Sequence, residues 1–144
     1  MPTQNYANHR QIVPMFHQVL FGLLLLTLIG ACVNLFQSFG NHDRLYSAAL
    51  IVVLIVCVVI LTLCCRIFAL KAQDRAIRAE DNLRHFAATG KLLDPRLSIQ
   101  QIIGLRFASD GEFVALAKRA ADEKLSPDAI KRAVKDWRAD LYRV

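Results

Sequence analysis

Between Gln11 and His42 the chain has no Asp, Glu, Lys or Arg, and between Leu45 and Cys65 it again has none. A helix at the surface of a soluble domain keeps a charged face, and neither stretch offers one. Glycine and proline are scarce, at six and four of 144 residues, which excludes a collagen-like or low-complexity chain. Charged residues make up 21% against 55% hydrophobic, the wrong balance for intrinsic disorder. The four cysteines, Cys32, Cys57, Cys64 and Cys65, all lie in or at the ends of the uncharged stretches. They imply no disulfide framework and read as small apolar helix residues. Catalytic signatures of the GxSxG, HExxH and CxxC types are also missing.

What is present divides unevenly. Val19 to Phe36 is nearly continuous apolar sequence, broken by Gly22, Thr27, Gly30 and Asn34, and Leu45 to Cys65 has only Tyr46, Ser47 and Thr62 as polar breaks. About 20 apolar residues cross about 30 Å of hydrocarbon as a helix, so both stretches are expected to be transmembrane helices. Only Gly40-Asn41-His42-Asp43-Arg44 separates them, which forces an antiparallel hairpin. Ile29-Gly30-Ala31-Cys32 imitates a lipoprotein cleavage box, but the apolar run continues past Cys32 to Phe36.

Arg66 to Val144 carries 16 of the 18 basic and 11 of the 12 acidic residues, a net +5. Arg66, Lys71, Arg75 and Arg78 follow the second span closely, the short loop offers Arg44 alone, and Arg10 precedes the first span. Basic flanks stay on the cytoplasmic side. Both termini are therefore expected on the cytoplasmic side of a bacterial inner membrane, with the loop on the outer side, and the lipid bilayer is the first expected partner.

The helix faces carry further information. On the first span Thr27, Gly30, Asn34 and Gln37 recur at 3-4-3 spacing, a small and polar stripe suited to helix packing against the second span or a second copy. No Pro or Gly occurs from Arg66 to Thr89, so the second span is expected to continue as a stalk that stops at Gly90. Along it Ala69, Ala72, Ala76, Ala79, Leu83 and Phe86 form a heptad seam, which needs something to lie against. The pairs Asp74–Arg78, Glu80–Arg84 and Asp81–His85 are expected to support the helix at i,i+4.

Beyond Gly90, three helix starts carry cap chemistry. Ser98 with Gln101 and Ser109 with Glu112 read as capping boxes, opening helices to about Ala108 and about Lys124. Ser126-Pro127-Asp128 opens a third helix toward Tyr142, with Ile130, Val134, Trp137 and Leu141 on its apolar face. A unit of this size is marginal alone, so it is expected to fold back on the alanine-lined stalk or to pack on another subunit.

The fold class expected is all-α: a two-helix transmembrane hairpin with a long cytoplasmic stalk helix and a small three-helix C-terminal tail. Its parts are an N-terminal cytoplasmic or interfacial segment (1–16), the first span (17–39), an external loop (40–45), the second span (46–66), the stalk (67–90) and the tail (91–144). No catalytic, cofactor-binding or metal site is expected. Thr89-Gly90-Lys91 lacks the flanking residues of a phosphate loop. His9 with His17, and Asp81 with His85, lack a second ligand pair. The bases Lys131, Arg132, Lys135, Arg138 and Arg143 alternate with Asp128, Asp136 and Asp140, which argues against a nucleic-acid face.

Gln4-Asn5-Tyr6-Ala7-Asn8-His9-Arg10 with Pro14 and Phe16-His17, Lys71 to Glu80, Leu105 to Asp110, and Trp137 to Asp140 together resemble an uncharacterised bacterial family of small two-helix membrane proteins. The resemblance spans nearly the whole chain, including the part that lipoprotein cleavage would remove. Some members of that family are labelled ABC-transporter permeases, and the family supplies no functional residues to carry over. The expected function is that of a non-enzymatic anchor or accessory subunit whose tail binds a protein partner or a second copy. A small component of a transport system and a membrane-tethered nucleic-acid binder are the alternatives.

Overall fold

The computed structural model describes residues 4–9 and 12–140. Among them the chain is all-helical, with two helices long and apolar enough to cross a membrane, Met15–Gln37 and His42–Thr89. It divides into two compact units, residues 12–69 and residues 1–11 with 70–144.

In the first unit, Pro14 opens a π-helical turn, Met15–Leu20, which leads into α1, Phe21–Gln37. The chain turns at Gly40, whose φ of +91° suits a residue without Cβ, and α2 runs as one helix over His42–Thr89. Asn41 Oδ1 accepts from the Arg44 amide to cap it. Helix therefore begins inside the segment expected as loop, because Asn41 supplies a cap that shortens the turn. The Arg66 guanidinium lies 5.5 Å from the Phe16 ring centre, bringing the end of the second apolar run beside the start of the first. The Thr27 and Thr62 hydroxyls donate to Leu23 O and Val58 O of their own helices, at 2.6 and 2.8 Å. Polar groups satisfied within the helix in this way tolerate an apolar surround.

Ala31 and Ser38 are the buried residues of the first apolar segment, with Leu24, Leu28 and Leu35 half-buried beside them. Thr27, Gly30, Asn34 and Gln37 are all exposed, roughly a quarter turn away around the helix. The buried side of α1 thus carries leucine and alanine, and the small and polar stripe lies on its exposed side.

In the second unit, α2 ends at Gly90 (φ +72°), whose amide donates to Phe86 O. Three short helices follow: α3 (Ile99–Leu105), α4 (Asp110–Asp122) and α5 (Pro127–Ala133). Ser98 and Gln101 form the expected capping box, and the Ser126 hydroxyl accepts from the Ala129 amide. Ser109 makes no side-chain cap. Glu112, expected to complete a box there, instead accepts from the amides of Lys135 and Asp136. The core is built from Ile77 of α2 together with Leu93, Leu97, Ile102, Leu105, Phe113, Leu116, Ala117, Ala120, Ile130 and Val134. Gly104 brings α3 against α5: a Cβ there would sit 3.1 Å from Pro127 O and 3.3 Å from Ile130 Cγ2.

The last helix is shorter than its periodicity suggests. Val134 leaves helical geometry (ψ 121°), and the chain returns extended past α3, with Ala108 and Trp137 bridged antiparallel. The amides of Ser109 and Arg138 donate to Asp136 O and Phe107 O, at 3.0 and 2.8 Å. Trp137 still reaches the core, stacking 5.0 Å from Phe107, but by an extended route. Leu141, Tyr142 and Arg143, expected on that helix, lie outside the described residues, as does Arg10.

Candidate functional site

The stalk part of α2 presents two opposed faces. Ile77, Asp81 and Arg84 point at the tail, and Ile77 and Asp81 are buried there. The seam residues Ala69, Ala72, Ala76, Ala79, Leu83 and Phe86 are exposed without exception, Leu83 at 68% and Phe86 at 51%. The tail does fold back on the stalk, as its small size requires, but it packs on Ile77, Asp81 and Arg84, leaving Ala76 and Leu83 at the border of a cavity. A small apolar residue makes a poor anchor for a folded unit because it buries little area. Ile77 and the long side chain of Arg84 supply more.

Arg84 joins stalk to tail. Its Nε donates to Asp110 Oδ1 and its Nη2 to Ala108 O, both at 2.6 Å, and its guanidinium lies 4.1 Å over the Phe113 ring. Its Nη1 is 3.8 Å from Asp81 Oδ1. Arg84 thus turns to the tail rather than to Glu80, and His85 Nδ1 donates to Lys91 O rather than meeting Asp81. In both cases a contact to the tail displaces an i,i+4 pair, since exposed helix pairs contribute only a few tenths of a kcal/mol.

Beside Arg84 lies a cavity of about 490 Å³, bordered by Gln73, Asp81, Arg106, Arg138 and Asp140. Arg106 pairs with Asp140 at 3.1 Å. Asp81 Oδ2 and Gln73 Oε1 are buried with no hydrogen-bond partner among the described residues. Burial pushes the Asp81 carboxyl up to about 6, against the opposing pull of Arg84, Arg138 and Arg106. Asp110 is held below the ordinary carboxylate range by its hydrogen bond from Arg84.

A second feature escapes sequence reasoning. Residues 4–9 lie on the tail. The Tyr6 hydroxyl donates to Asp128 Oδ1 at 2.6 Å, and the Arg132 guanidinium lies over the Tyr6 ring. The His9 ring packs against Phe107 and Trp137, with its Nδ1 donating to Tyr6 O and its Nε2 facing Lys131 Nζ at 3.3 Å. Gln4 Oε1 accepts from the Asp140 amide. His9, in the segment expected to be cytoplasmic or interfacial, is an aromatic contact of the tail. The only sequence signal was Tyr6 and His9 standing in an otherwise polar leader. Of the orienting residues, Lys71, Arg75 and Arg78 are exposed and Arg66 is half-buried against Phe16.

No curated protein and no solved structure matches the chain. Residues 1–144, the full length that includes hairpin, stalk and tail, match a family of unknown function, DUF6526. The chain belongs to that family.

Proposed function

We propose that this protein is a non-enzymatic anchor or accessory subunit of a bacterial inner membrane, held by its hairpin with both termini cytoplasmic, and that its stalk binds a protein partner. The reading rests on one observation: the apolar heptad face of the stalk is exposed although the tail already covers the opposite face. Apolar area left in water forgoes about 25 cal/mol for each Å² that a partner could cover. Exposed side chains around the hairpin, among them Leu25, Leu26, Leu54 and Leu61, support lipid contact by the same logic. The basic residues Arg66, Lys71, Arg75 and Arg78 support the orientation.

Photocrosslinking groups placed at Ala76 and Ala79 of the full chain in native membranes test the proposal. Adducts are expected at both positions and should be lost on introducing Ala72→Glu. Recovery of monomer alone would overturn the reading.

A further inference from the structure

The stalk face also specifies what covers it. In heptad register, Ala69, Ala76 and Leu83 occupy a, and Ala72, Ala79 and Phe86 occupy d. The tail packs on the b and f positions Ile77, Arg84 and Asp81, and a cavity bordered by Ala76, Glu80 and Leu83 lies between it and the seam. All six seam residues stay exposed beside that cavity, which leaves them open to a second helix, and alanine at four of the six positions permits a close approach.

The flanks carry opposite charges at the positions that meet in a parallel pair. Arg75 stands at g and Glu80 at the following e, and both are exposed. In a parallel two-stranded coiled coil, g of one helix faces the next e of the other, so each Arg75 would meet a Glu80. In an antiparallel pair g meets g and e meets e, which brings like charges together. Two copies inserted in the same membrane with the same orientation also present their stalks parallel.

We propose that the exposed stalk face is a self-association surface: a second copy of this chain pairs with it in parallel, the a and d residues forming the seam and Arg75 of each copy facing Glu80 of the other. This rests on the partner-binding reading above and narrows it to one partner. The expected assembly has the tails on its outside and the two seams buried against each other.

The test uses the full chain in native membranes, with its four cysteines replaced by alanine and single cysteines introduced at Ala76, Ala79, Arg78 or Ala88. Mild oxidation is expected to yield a product of twice the chain mass from Ala76→Cys and Ala79→Cys, and little from Arg78→Cys at c or Ala88→Cys at f. In a fluorescence-transfer measurement of association, Arg75→Glu should weaken self-pairing about tenfold, because two attractive contacts become repulsive. Adding Glu80→Arg to it should restore pairing. Dimer without that rescue overturns the parallel register. Photocrosslinked adducts from the seam that contain a different protein, with no dimer, overturn self-pairing while leaving partner binding intact. No adduct of either kind overturns both.

Discussion

Asp81 and Leu83, two residues apart on the same helix, occupy each other's natural surroundings: the carboxylate is 4% exposed and the leucine 68%. Their side chains point about 200° apart. Asp81 faces the tail, where Arg84 lies beside it, and Leu83 faces outward on the heptad seam. Burying an acid while exposing an apolar stripe costs stability on both counts. That arrangement is compatible with a helix whose outer face is meant to be covered.

The Asp81 carboxyl makes stability pH-dependent. Its value in the folded chain, about 6, lies above the ordinary 3.8, so the folded state binds the proton more tightly. Its stabilising contribution is fully present below pH 4 and is lost as pH rises through 6, a change on the order of 2–3 kcal/mol. Asp81→Asn removes that titration. The melting temperature of the variant relative to the unmodified chain should therefore rise between pH 4 and pH 7. A difference that stays constant with pH would contradict the assignment.

Gly104 and Gly111 should respond oppositely to alanine. At Gly104 the new methyl meets the Pro127 carbonyl and Ile130, and backbone cannot yield cheaply. A loss of about 1–3 kcal/mol is expected. At Gly111 nothing lies within 4 Å, and replacing a helical glycine should stabilise by up to about 1 kcal/mol. Thermal unfolding of the two variants in the same detergent reads the contrast.

The two serine caps should also separate. Ser98→Ala removes a capping box and should cost about 1 kcal/mol. Ser109→Ala removes a hydroxyl that caps nothing and should leave the melting temperature nearly unchanged. Equal effects would mean that Ser109 caps α4 in solution.

Two phenylalanines divide stability from association. Phe113 is buried under the Arg84 guanidinium, and Phe113→Ala should destabilise the fold by about 3–5 kcal/mol. Phe86 is half-exposed on the seam, so Phe86→Ala should leave unfolding almost unaffected while weakening capture of the partner. A large loss of stability in Phe86→Ala would place that ring in the folded core.

The apolar spans, the stop at Gly90 and the caps at Ser98 and Ser126 were legible because each depends on residues close together in the chain. The face of the stalk that the tail chooses was not. Ile77 is a single apolar residue among charges, and Asp81 reads as solvated until a partner from the tail is known. The heptad seam was a stronger local signal, yet packing energy follows area rather than periodicity. The third helix of the tail was overextended for a similar reason. Ile130, Val134 and Trp137 keep helical spacing, but the backbone beyond Ala133 finds its hydrogen-bond partners in Glu112 and Phe107. Such non-local partners leave no periodic trace.

By itself, then, the sequence determined where helix forms, where it stops and which stretches are too apolar for water, since these follow from side-chain chemistry and spacing along a few turns. Only the tertiary structure decided that Arg84 binds Asp110, that residues 4–9 lie on the tail, and that the alanine seam stays uncovered. Those outcomes depend on competition between surfaces far apart in the chain, and the larger buried area and the more complete hydrogen bonding win that competition.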